Sequence, residues 1–337
     1  MSHESQVVVI TGASAGVGRA VARAFAGRGA RIGLIARNRE ALEAARADVE
    51  ARGGQAVVLV ADVADADAVD RAAREVESAF GPIDVWVNNA MVSVFGPVKE
   101  LSAAEFRRVT EVTYLGVVNG TLAALRTMLP RDHGVIVQIG SALAYRGIPL
   151  QAPYCAAKHA IQGFHDSLSV ELLHDQSNVR VTMVNLPALN TPQFGWVRNY
   201  MPHKAKPVGT IFEPEVAARA IVWASEHARR ELNVGWPTTQ AIVGNAFIPG
   251  LVDRYLSHVG YDGQQTDEPE EHGRRDNLYE PVPGDAGAHG TFSDQAKDES
   301  PQLLANTHRG AIGAVIAVLA AVGLARLVRR RRVDRGQ

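Results

Sequence analysis

The 337-residue sequence predicts a doubly wound α/β fold built on a parallel sheet, and three observations carry that prediction. Short β-branched runs alternate with Ala/Arg/Glu-rich stretches of helical spacing from residue 6 to about residue 186. The first run ends in a glycine-rich turn that opens directly into a helical pattern. Hydrophobic residues make up 46% of the chain, ample for a sheet buried on both faces.

The runs Val7–Ile10, Arg31–Ala36, Ala56–Val60, Val85–Val87, Val135–Ile139 and Val179–Val184 read as buried strands. Between them, Arg19–Gly27, Arg39–Arg52, Asp67–Phe80 and Tyr154–Leu173 read as helices. Right-handed crossovers then place helices on both faces of the sheet. Residues 187–212 break this rhythm. Four prolines punctuate a stretch that also carries Phe194, Trp196, Tyr200, Met201 and Phe212, which suits a substrate lid. A helix resumes over Glu213–Arg230, with Pro214 early in it.

A catalytic domain is therefore expected over 1–255, followed by a Gly/Pro-rich arm over 256–309. From Asp262 to Arg309 the arm carries 11 acidic against 4 basic residues, which reads as a linker or a loosely packed surface arm. A hydrophobic helix is expected over 310–328 and a basic tail over 329–337.

The net charge of -1 argues against a nucleic-acid partner. A single cysteine, Cys155, excludes an intrachain disulfide and any cysteine-rich metal site. No HExxH spacing occurs, so no metal is expected. Met1–Gln6 is polar and runs straight into the first strand, so no cleavable signal is expected and the reading is cytoplasmic.

The turn reads Thr11-Gly12-Ala13-Ser14-Ala15-Gly16-Val17-Gly18. Glycines there allow a tight turn and close approach to a pyrophosphate, while the following helix offers free N–H groups. Dinucleotide binding is the expectation, with Gly12, Ser14, Ala15, Gly16, Val17 and Gly18 in contact. The second strand ends in Ala36, followed by Arg37 and Asn38. An acidic side chain there would accept from a ribose 2′-hydroxyl and repel a 2′-phosphate; guanidinium in its place favours NADP over NAD.

The TGxxxGxG spacing resembles the short-chain dehydrogenase/reductase family. Further motifs agree: Asp62-Val63 after the third strand, Asn88-Asn89-Ala90 closing the fourth, Tyr154-Cys155-Ala156-Ala157-Lys158, and Ser141 ahead of that tyrosine. The resemblance covers residues 6–250 and implies a seven-stranded Rossmann-type sheet. It also implies cofactor contacts at Asp62, Val63, Asn89, Ala90, Tyr154, Lys158, Pro187 and Thr191, and a homodimer or homotetramer.

Tyr154 and Lys158, four residues apart on a helix, project from one face. A nearby ammonium lowers a phenol's pKa, fitting Tyr154 to exchange a proton with a carbonyl oxygen. Ser141 would hydrogen-bond that oxygen. The family's asparagine, part of a proton relay, is replaced here by Thr113, whose hydroxyl lacks the amide's paired donor and acceptor.

The lid aromatics suit a hydrophobic alcohol, ketone or aldehyde. Gly310–Ala325 is uncharged and precedes Arg326 and Arg329–Arg332, which fits a helix lying in a membrane interface or an Ala-rich helix packed on protein. The functional reading is an NADP-dependent oxidoreductase. Its rival is a catalytically weak NADP-binding sensor or scaffold tethered at a membrane.

Overall fold

The computed structural model describes residues 5–271 and 273–310. Strands β1 (Val7–Thr11), β2 (Arg31–Ala36), β3 (Gln55–Val60) and β4 (Val85–Asn88) form the first half of the fold. They are followed by β5 (Val94–Phe95), β6 (Val135–Ser141), β7 (Arg180–Leu186), β8 (Arg198–Asn199), β9 (His203–Ala205), β10 (Glu231–Asn233) and β11 (Gln265–Pro269). Seven of these make one parallel sheet in the order β10-β7-β6-β4-β1-β2-β3. Both β1 and β4 are buried along their whole length, as strands covered on both faces must be.

The chain winds outward in opposite directions from β1, so the order reverses between β1 and β4. A crevice opens at such a reversal, beyond the carboxyl ends of the two strands. Helices α1 (Gly16–Ala26), α2 (Arg39–Glu50), α3 (Ala66–Phe80), α4 (Ala103–Val109), α5 (Gly116–Met128), α6 (Ala152–His174) and α7 (Pro214–Glu226) complete the crossovers. A π-helical segment, Thr110–Leu115, joins α4 to α5.

The helix starts differ in one informative way. Asn38 caps α2 by accepting from the Ala41 N–H, Asp65 caps α3 through Ala68, and Ser102 with Glu105 forms a capping box on α4. Ala15 precedes α1 and offers no side-chain cap. The first N–H groups of α1, which have no intrahelical acceptor, therefore face the crevice without a side chain to satisfy them.

The expected strands and helices of residues 7–186 are present, with two differences further on. The helix expected over Glu213–Arg230 ends at Glu226, because the chain straightens into the seventh sheet strand, β10. The 187–212 segment is not irregular throughout: β8 pairs with β5 and β9 pairs with β11 of the arm. Beyond β10 lie α8 (Trp236–Phe247) and α9 (Pro249–Val259).

The arm departs most from expectation. It is not a loose linker: Leu278 is fully buried and Ala288 nearly so, and residues up to Ser300 belong to the same compact unit as the sheet. Its anchors are a few isolated apolar residues and many backbone carbonyls, neither of which makes a periodic pattern. A short helix, α10 (Pro301–Thr307), belongs to a second unit. From residue 311 onward, the expected hydrophobic helix and basic tail lie outside the described residues. Among the described residues no helix is long and apolar enough to cross a membrane.

Candidate active site

The crevice is built from the ends of β1 and β4. Thr11 Oγ1 accepts from the Asn89 and Ala90 N–H groups at 2.9 and 3.0 Å. In return, the Asn89 amide donates to the Thr11 and Gly12 carbonyls at 3.0 and 3.3 Å. These bonds fix the glycine turn against the neighbouring strand. Gly12 has φ of +67°, and a Cβ there would stand 2.8 Å from the Ala90 Cα. A Cβ on Gly18 would stand 2.2 Å from the Gly12 carbonyl oxygen, so this glycine sets how closely α1 approaches the turn.

Gly12, Ser14, Ala15, Gly16, Val17, Arg37, Asn38, Asp62, Val63, Asn89, Ala90 and Thr191 all line one cleft of about 200 Å³. These are the residues the sequence assigned to a dinucleotide, gathered from separate turns. The bare cradle of glycines and the uncapped start of α1 fit a pyrophosphate. Four expected contacts are not part of the cleft wall: Gly18 acts through packing, Pro187 lies against Gly235, and Tyr154 and Lys158 stand on α6.

Burial pushes the Asp62 carboxyl up, but its bonds to the Ala64 N–H and Arg108 outweigh this and hold it below the usual carboxylate range. It stays an acceptor at the rim. Burial also lowers the pKa of the Arg37 guanidinium, with the Asp62 charge opposing that shift.

Ser141, Tyr154 and Lys158 come together at the end of β6 and the first turns of α6. Ser141 Oγ accepts from the Leu143 N–H at 3.1 Å and hydrogen-bonds the Tyr154 phenol. The Lys158 Nζ lies 5.5 Å from the Tyr154 ring centroid and donates to the Ile139 carbonyl at 2.6 Å. Burial alone pushes Lys158 down to about 7. Burial also raises the Tyr154 phenol above its ordinary value, with the Ser141 bond opposing it. The expectation that the ammonium lowers the phenol is thus not met: burial disfavours the ammonium itself, and loss of solvent dominates at Tyr154.

Thr113 lies in the π-helical segment, fully buried. Its hydroxyl donates to the Val92 carbonyl at 2.8 Å and accepts from the Val92 N–H at 3.1 Å. With its single proton used in this way, Thr113 positions the loop after β4 and does not reach Tyr154 by hydrogen bond.

The residues expected to form a lid separate by surroundings. Trp196 lines the cleft, while Phe194 packs edge-on against Phe292 of the arm at 6.0 Å. Met201 packs with Phe95, Leu150, Val197 and Ala205. Tyr200 donates its hydroxyl to Glu105 at 2.5 Å, which commits that proton to α4.

Sequence reasoning missed three features. Arg19, only 3% exposed in its side chain, bonds Asp48, the Ser14 and Ala41 carbonyls and Asp285 of the arm. Asn190 is fully buried and ties Glu213 to the Ser293 hydroxyl and the Phe292 N–H. Glu213, Glu215 and His289 bring one ligand-type atom each within 4.8 Å of one another, with His289 and Glu215 hydrogen-bonded at 3.0 Å. Each depends on partners far apart in the chain, which spacing alone does not reveal.

A seven-stranded doubly wound sheet with a glycine-cradled cleft at its reversal, and a Ser/Tyr/Lys group beside it, defines a nucleotide-binding oxidoreductase. Residues 6–199 match the family model for short chain dehydrogenases, and the chain belongs to the short-chain dehydrogenase/reductase family. It is 33% identical over 279 residues to "Uncharacterized oxidoreductase YxnA" of Bacillus subtilis (strain 168), covering 82% of this chain and 78% of that protein. It is 32% identical over 223 residues to a fatty acyl-CoA reductase of Acinetobacter baylyi (strain ATCC 33305 / BD413 / ADP1), covering 66% and 73% respectively. Among solved structures, a metagenomic short-chain oxidoreductase in complex with NADP superposes with a TM-score of 0.59 at 30% identity, covering 69% of this chain and 98% of that one.

Proposed function

We propose that the protein uses NADP(H) to interconvert a hydrophobic alcohol and the corresponding ketone or aldehyde, with Tyr154 as acid/base. The observation that carries this reading is the juxtaposition of Ser141, Tyr154 and Lys158 at the end of a strand beside the cleft. The bound nicotinamide would supply or accept the hydride. Tyr154, kept protonated by burial, is the group able to donate to a carbonyl oxygen. Ser141 already shares a hydrogen bond with that phenol, so it can hold the same oxygen and favour its developing negative charge.

Lys158, held by the Ile139 carbonyl one helical turn from Tyr154, would donate to the ribose hydroxyls of the cofactor. Arg37 and Asn38, on the rim after β2, support NADP over NAD because no carboxylate stands at that strand end. Leu143 and Met91 give the neighbourhood an apolar character, and the fatty acyl-CoA reductase relative supports a hydrophobic substrate.

The test is NADPH oxidation followed at 340 nm against hydrophobic ketones and aldehydes, with NADH and Tyr154→Phe as controls. Turnover that prefers NADPH and falls at least 100-fold in Tyr154→Phe is expected. The sensor reading, favoured by the committed hydroxyl of Thr113, replaces this one if NADPH binds and no carbonyl compound is reduced.

A further inference from the structure

The acidic arm crosses the mouth of the cleft and is fastened on both sides of it. On the α2 side, Arg37 donates to the Asn277 and Tyr279 carbonyls, and Asn38 donates to the Val282 and Gly284 carbonyls at 2.8 and 3.0 Å. Asp285 pairs with buried Arg19 at 3.0 Å, and the Gly284 N–H donates to Glu40 at 3.2 Å. On the lid side, the Asn277 N–H donates to the Trp196 carbonyl at 3.1 Å and the Gly290 N–H to the Asn190 carbonyl at 3.2 Å. Leu278 is the fully buried apolar peg between these fastenings, and its carbonyl accepts from Arg108.

The arm encloses the cleft and does not fill it. Asn277, Pro281, Val282, Gly284 and Ala286 form its outer wall, opposite the glycine turn, and open space remains between the two walls. A single first-turn donor of α1, the Gly16 N–H, is taken by the Gly287 carbonyl at 3.0 Å. Val17 and Gly18, next in that turn, have no intrahelical acceptor for their N–H groups.

We infer that residues 277–290 are a retaining strap that completes the dinucleotide site, so that the cofactor enters and leaves only when the strap lifts. The inference rests on the NADP reading above. Release is then slow because a buried peg and several hydrogen bonds must part together, while the strap's own carbonyls hold Arg37 and Asn38 in place at the rim.

Two variants of the full chain loosen the strap while leaving every residue of the glycine turn and of the Ser/Tyr/Lys group in place: Leu278→Ser removes the peg, and Asp285→Ala removes the exposed end of the Arg19 pair. Dissociation of NADPH is measured by stopped-flow fluorescence on displacement with excess NADP, and affinity by calorimetry. Circular dichroism checks that each variant is folded. Release at least tenfold faster in Leu278→Ser, with a smaller rise in Asp285→Ala and weaker affinity in both, is the expected result. Should Leu278→Ser fail to fold, the Asp285→Ala rate alone decides. Unchanged release with NADPH still bound overturns the strap and leaves the cofactor reading standing. Tighter binding without faster release shows an arm that blocks the site, which also overturns it. Failure of the wild-type chain to bind NADPH or NADH overturns the cofactor reading itself.

Discussion

Lys158 and Tyr154 sit one helical turn apart in surroundings that penalise the charged form of each. For the lysine, burial lowers the folded-state pKa to about 7, whereas an unfolded chain titrates it near ~10.4. Between those values the unfolded state binds more protons, so stability contributed by this site rises as pH climbs from 7 towards 10. Tyr154 adds nothing in that window, since its raised pKa lies above the ordinary ~10 and matters only beyond it. Lys158→Met removes the titration while keeping the volume. The variant should be more stable than the wild type at pH 7, by on the order of 4 kcal/mol at most. It should also lose the upward slope of melting temperature with pH, which differential scanning calorimetry reads directly. An identical slope in both proteins would mean that Lys158 is better solvated than its surroundings suggest.

At the level of elements, α1 is the helix that gives up its cap to face a ligand, and its position depends on glycine. Gly18→Ala sets a methyl 2.2 Å from the Gly12 carbonyl oxygen and 2.7 Å from the Asn89 amide. Because backbone on one side cannot yield as a flexible side chain would, the cost should approach ~3 kcal/mol. Dinucleotide affinity should fall with it, as α1 moves off the turn; urea unfolding and calorimetric titration measure the two effects separately. This element was legible in the sequence because steric demands on glycine leave a fixed spacing, and the buried strands were legible through their β-branched runs. Other parts were not. β10 is three residues long and gives no pattern to detect, and β8 and β9 are shorter than any periodicity. Thr113 was noticed as a departure from the family, but its bond to Val92 needed the loop after β4 to be in place. The arm was misread because its fastenings are main-chain carbonyls accepting from Arg37, Asn38 and Arg108, and a carbonyl belongs to every residue type.

Across the whole molecule, Arg19 is where three distant parts meet. Its guanidinium, itself almost free of solvent contact, reaches the Ser14 carbonyl in the glycine turn, the Ala41 carbonyl and Asp48 in α2, and Asp285 in the arm. A planar group with five donors can serve partners in several directions at once, which lysine's point charge cannot do equally well. Arg19→Met keeps the apolar stem and removes the fork. Asp48 retains Arg23 at 2.6 Å and Asp285 is partly exposed, so neither carboxylate is left as an isolated buried charge. The loss should therefore fall below the 3–5 kcal/mol of a fully buried pair, at about 2 kcal/mol. What distinguishes this variant is that one substitution should act in three places: faster hydrogen exchange in the glycine turn, in the first turn of α2 and in residues 277–290, measured by mass spectrometry. Lys as the replacement should restore the charge and only part of the protection. Faster exchange confined to α1 would show that the turn, α2 and arm are held independently, and that Arg19 is no more than a local ion-pair partner of Asp48.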